Sequence, residues 1–169
     1  SSRGLVSANS QNFGGDKNFS NDISANGIFI GRGFNSIASN LAIGYDAAAV
    51  GNKNFSTNTS GTHNIAIGVS TLSSLADGYS NNAVGNGALS GTNGGYNNNA
   101  FGLDALKGNT GGYNNSGFGN SALQANSTGN DNTAVGFNSL VSTTGDKNTA
   151  IGSTSNVAAG KSNSTAIGF

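Results

Sequence analysis

Apolar residues in this chain return in short phrases at a fixed interval, with no helical stripe. Asn81-Asn82-Ala83-Val84-Gly85 recurs as Asn98-Asn99-Ala100-Phe101-Gly102, as Asn115-Ser116-Gly117-Phe118-Gly119 and as Asn132-Thr133-Ala134-Val135-Gly136, each seventeen residues after the last. A second phrase follows five residues after each apolar residue: Ala88-Leu89, Ala105-Leu106, Ala122-Leu123, Ser139-Leu140. A constant period of this length is the signature of a repeat architecture. Seventeen residues are too few for two helices and a turn, and Gly, Asn, Ser and Thr at this density form helices poorly. One coil of a parallel β-solenoid fits, and the chain is predicted to be all-β. Alternation along a strand puts Ile30, Ile43, Ile67, Val84, Phe101, Phe118, Val135, Ile151 and Ile167 on one face. That series is expected to form the internal ladder of the core, met by Leu72, Leu89, Leu106, Leu123 and Leu140 from a second strand. The opposite face carries Ala42, Ala66, Ala83, Ala100, Gly117, Ala134, Ala150 and Ala166, small enough to imply another backbone close by. The repeated Asn64, Asn81, Asn98, Asn115, Asn132 and Asn148 are expected to stack coil upon coil and satisfy turn groups.

Along the chain the regularity grows. Residues 1–26 are polar and Gly-rich and read as an irregular segment or a degenerate first coil; residues 27–169 read as the repeat domain. Ile28-Phe29-Ile30-Gly31 and Leu41-Ala42-Ile43-Gly44 are the first copies, thirteen residues apart, and Asn64-Ile65-Ala66-Ile67-Gly68 follows after twenty-four. The excess is assigned to a polar loop insertion near 52–63. After Gly136 the interval is sixteen, and the last copy ends the sequence inside a repeat, as in a piece of a longer fibre. The expected architecture is thus about nine coils of 13–24 residues, mostly 16–17. At two to three large apolar residues per coil the core is thin against the ordering cost of a coil, and oligomerisation is the natural remedy.

Composition changes this picture little. With 28 Gly and abundant Asn and Ser the chain could have been disordered, but disorder keeps no register. Seven basic and seven acidic residues in 169 leave no net charge and no footprint for nucleic acid. No apolar run is long enough for membrane insertion as a helix, and without Cys there is neither a disulfide framework nor a thiolate site.

Candidate chemistry is sparse, and the expectation is of no enzyme and no cofactor. His63, the only histidine, lies in the polar insertion with no carboxylate near it in sequence, so it reads as a solvated loop residue. The seven Asp are scattered, without the rhythm of calcium-binding rolls. Six Asn-x-Ser/Thr sequons, at Asn18, Asn54, Asn58, Asn114, Asn126 and Asn163, are about as many as the composition gives by chance. Tyr79, Tyr96 and Tyr113 keep the seventeen-residue interval and should form an exposed aromatic ladder, either stiffening the turn or offering a sugar platform. With Asn54, Asn58 and His63 they are the candidate binding residues. Thr133, Thr149 and Thr165 align as a short Thr row, a weak pointer to ice binding.

The phrase Asn-x-Ala-Ile/Val-Gly, followed by a small residue and Leu over residues 28–168, resembles the head repeats of trimeric autotransporter adhesins and related repeats of bacteriophage tail fibres. The seventeen-residue period is a few residues longer than in the adhesin heads, so the resemblance is to the fibre group as a whole. It implies a left-handed β-roll and three chains side by side as a homotrimer. It also implies an extracellular place on a cell or virion surface, where a rigid rod presents loops to a receptor or glycan. A self-assembling extracellular filament with a purely structural role is the alternative.

Overall fold

The structure, a computed structural model, describes residues 23–25, 28–31, 39–45 and 60–168. Ten short strands follow one another: β1 (Ile23–Ala25), β2 (Ile28–Gly31), β3 (Leu41–Tyr45), β4 (Ile65–Ile67), β5 (Asn82–Val84), β6 (Asn99–Phe101), β7 (Ser116–Phe118), β8 (Thr133–Val135), β9 (Thr149–Ile151) and β10 (Thr165–Ile167). They form one sheet in sequence order, and no described residue is helical. From β3 onward every pairing is parallel, and the repeat sets the register: Ala66 pairs with Ala83, Ala83 with Ala100, and Val84 with Phe101. The fold is a β-solenoid of about six turns.

The start of the sheet departs from expectation. β2 pairs antiparallel with β1 and with β3, so Ile28–Gly31 is a hairpin arm laid beside the first coil and is not itself a coil. Ile30 nevertheless aligns with Ile43, so the column of large residues continues across the change of direction. The thirteen residues between these two copies are fewer than the sixteen or seventeen that separate the later parallel strands. Residues 60–63, assigned from sequence to a loop insertion, take the turn of the first coil: the N–H groups of Ser60 and Gly61 donate to Ala76 O at 3.2 and 3.4 Å. The remainder of that insertion lies outside the described residues.

The two faces of the sheet are also the reverse of the expectation. Ala42, Ala66, Ala83, Ala100, Ala134 and Ala150 are fully buried, with Leu72, Leu75, Leu89, Leu106, Leu123 and Leu140 opposite them. The series expected inside points outward: Ile43, Ile67 and Val84 are half-buried, and Phe101, Phe118, Val135, Ile151 and Ile167 are exposed. The cause is the width of the coil. At Gly117, in the Ala column, a Cβ would meet Ala122 O at 3.2 Å and the Leu106 side chain at 3.5 Å. The interior therefore takes Ala from the sheet and Leu from the far wall, and a second large side chain would overpack it.

That far wall is built of turns; the expected second strand is absent. Leu72, Leu89, Leu106, Leu123 and Leu140 all have φ between 47 and 54°, a left-handed conformation costing a non-glycine residue about 1–2 kcal/mol. Full burial of each leucine returns about 1.5–3 kcal/mol, and each of these N–H groups donates to the next coil, as Leu106 N does to Ala122 O at 2.9 Å. Burial therefore wins. Two further left-handed positions recur, at Ser70, Asp104, Ser121, Asn138 and Thr154, and at His63, Ser80, Asn97, Asn114, Asp131, Lys147 and Asn163. With the corner glycines they bend the chain through each circuit. A Cβ on Gly102, whose φ is 141°, would lie 2.5 Å from Gly119 O, so only glycine lets successive corners stack.

A buried asparagine ladder closes the remaining side. Asn98 donates through Nδ2 to Asn81 Oδ1 (3.0 Å) and to Gly112 O (2.8 Å), and its Oδ1 accepts from Asn115 N (3.0 Å) and Asn115 Nδ2 (3.1 Å). Asn64, Asn81, Asn115 and Asn132 repeat the pattern, and Asn40 and Asn148 share in it, as the spacing led one to expect. Turn carbonyls that short strands leave over thus find donors inside the coil.

Candidate functional site

With the core closed by Ala, Leu and Asn, what remains for function is the outside of the coils. Its main feature is the outward face of the sheet. Ile30, Ile43, Ile67, Val84, Phe101, Phe118, Val135, Ile151 and Ile167 stand in register on nine successive strands, a column about 40 Å long at the usual strand spacing. In the middle the Phe101 and Phe118 rings stack at 5.2 Å with 9° between their planes. They are neighbours, as expected, but 39% and 41% exposed. Two residues further on, beyond each corner glycine, lies a second row: Val69, Asn86, Leu103, Asn120, Phe137 and Ser153, every one exposed. The sequence reading passed over this row, although its alternation of apolar and polar at every second coil is legible there.

On another edge of the coil Tyr79, Tyr96 and Tyr113 form the aromatic ladder the period predicts. Successive centroids are 4.9 Å apart and the planes 6° and 1° from parallel. Tyr96 has a ring on either side, and its pKa is raised above the ordinary phenol value, first by desolvation, then by Tyr113, Tyr79 and the Asp131 carboxylate. Since Tyr96 is stacked on both sides, a sugar could not lie flat on it as on an open platform. Beside the rings runs a polar row in which Asn97 Nδ2 donates to Asn114 Oδ1 (3.2 Å) and Asn114 Nδ2 to Asp131 Oδ1 (3.0 Å).

The other candidate residues are not drawn together with these. His63 takes the same left-handed turn position as Ser80 and Asn97, is exposed, and donates its backbone N–H to Ser39 Oγ at 3.2 Å. Asn54 and Asn58 lie outside the described residues. Of the sequons, Asn126 is fully buried with Nδ2 donating to Gly129 O at 3.0 Å, which closes it to modification in the folded chain, whereas Asn114 and Asn163 are exposed. Among the described residues no three His, Cys, Asp or Glu gather into a possible metal site, and no helix is long and apolar enough to cross a membrane.

Fold and surface together define an all-β solenoid repeat protein with an apolar sheet face and an aromatic turn edge. In comparisons with known proteins the chain matches no family model, no curated protein and no solved structure.

Proposed function

We propose that this chain is a rigid, non-enzymatic segment of an extracellular or virion surface fibre, structural and adhesive in role, which assembles as a homotrimer through its sheet face. The observation that carries the reading is the outward apolar column. The large residues of that column and of the adjoining row expose on the order of 700 Å² of apolar surface, more than the roughly 300–600 Å² of the largest apolar patch on a typical monomer. A core of Ala and Leu gives each coil little burial, and association through this face supplies more. The choice of three chains, and of a cell or virion surface, rests on the resemblance of the repeat phrase to adhesin heads and tail fibres.

In this reading the turn edge remains outward for contact with a receptor or glycan. Contacts there would come from the edges and hydroxyls of Tyr79, Tyr96 and Tyr113 and from the amides of Asn97 and Asn114, with the segment around Asn54, Asn58 and His63 as a second candidate. Sedimentation equilibrium of the purified chain is expected to give three times the chain mass, and electron micrographs short rods. A monomer at micromolar concentration that keeps its β-sheet circular dichroism would refute the proposal.

A further inference from the structure

A stack of near-identical coils has a weakness as an interface: sliding one copy along another by a single coil replaces every contact with an equivalent one. The column from Ile67 to Ile167 cannot prevent this, because its members are all large and apolar. The row beyond the corner glycines differs. Val69, Leu103 and Phe137 project apolar side chains from alternate coils, and Asn86, Asn120 and Ser153 stand between them. The three apolar residues are 42%, 49% and 54% exposed, so their burial inside the chain does not explain the alternation. Nor does the backbone, which takes the same path at each level: the carbonyls of Val69, Asn86, Leu103, Asn120 and Phe137 all accept from the left-handed residue of the next coil, at 2.7–3.0 Å. One polar member has a further task, as Asn120 Oδ1 accepts from Leu103 N at 3.2 Å.

We propose that Val69, Leu103 and Phe137 exclude a one-coil slip of the axial register when copies of this chain pack through the sheet face. The inference rests on the association proposed above and adds what that face by itself does not determine. Three apolar ridges about 9.6 Å apart, two coils at the usual strand spacing, break the one-coil equivalence of the stack. A slip by one coil would set each ridge where a polar residue belongs, and the groups desolvated there would lack partners. The device parallels the way a one-residue slip is penalised within a sheet.

The test makes the row uniform in two ways. In N86L/N120L five of the six levels become apolar, and the discrete assembly is expected to broaden into a series of staggered, larger species by sedimentation velocity and native mass spectrometry. In L103N/F137N the row is almost entirely polar; the fold should persist by circular dichroism, because Asn already occupies this site in neighbouring coils. The concentration at which that variant's assembly dissociates is expected to rise about tenfold or more. A single unchanged species in N86L/N120L, or unchanged dissociation in L103N/F137N, overturns the register proposal and leaves the association standing. A monomeric unsubstituted chain overturns the association and the register with it.

Discussion

Asn97 and Asn98 are adjacent and chemically identical, yet the same substitution should be costly at one site and nearly neutral at the other. Asn98 is fully buried. Its Nδ2 faces two acceptors, Asn81 Oδ1 at 3.0 Å and Gly112 O at 2.8 Å, while its Oδ1 accepts from Asn115 N and Nδ2. In Asn98→Ala four hydrogen bonds go at about 0.5–1.5 kcal/mol each, and the buried Asn115 N–H is left without an acceptor, so the expected loss is about 3–5 kcal/mol. Gly112 O is not orphaned, since Asn109 Nδ2 also donates to it at 3.0 Å. Asn98→Asp keeps the shape but turns a carboxylate oxygen toward those two acceptors, so at pH 7 it should cost at least as much. Burial among acceptors raises the folded-state pKa of the new carboxyl above its unfolded value of about 3.9. The penalty is therefore smallest below that value and grows as pH rises through the folded-state pKa. Asn97 makes one exposed side-chain bond, to Asn114, and its column already accepts Asp131. Asn97→Asp should stay within about 0.5 kcal/mol. Urea unfolding followed by circular dichroism at pH 7 and pH 4 checks all of this. Equal midpoints for Asn97→Asp and Asn98→Asp at pH 7, or an Asn98→Asp variant no more stable in acid relative to the unsubstituted chain, would refute the ladder as a source of stability.

Further outcomes follow from the same geometry. Leu106→Ala, at a fully buried site, should lower stability by about 2–5 kcal/mol, measured by chemical unfolding at a concentration where association is unchanged. Phe101→Ala should leave the fold of the single chain largely intact, since the ring is exposed, and should instead weaken association, read from sedimentation of the two variants side by side. Gly112→Ala should abolish folding of the central coils, because its Cβ would collide with Gly129 O and Asn109 Oδ1; a native-like melting curve would contradict this. In an absorbance titration the Tyr96 phenol should ionise above the ordinary value of about 10, and Tyr96→Phe should remove that late component. Because the raised pKa belongs to the folded chain, the stability it represents is present below the unfolded phenol pKa and is lost as pH rises through the folded one.

Much of this fold is written along the chain. The recurring phrase sets the register of every parallel strand, bringing Ala83 over Ala66 and Ala100 over Ala83 at seventeen residues and keeping the same alignment where the interval is twenty-four or sixteen. The Asn and Leu columns are legible for the same reason: the backbone partners of a buried amide or a left-handed leucine recur with it from coil to coil. The Tyr79, Tyr96 and Tyr113 ladder follows from the period alone. Alternation, however, separates two faces without saying which is inside. The sequence shows large residues such as Phe101 and Phe118 on one face and alanines on the other, and hydrophobicity favours burying the former. Tertiary structure reverses that choice, because the turns that close the coil hold the leucine wall too near the sheet for anything larger than Ala. Direction was equally hidden at β2, where Ile30 keeps its place in the apolar column although its strand runs the other way. Periodicity is blind to inversion of a face or of a strand, and only the width of the closed coil and the path of its turns determine both.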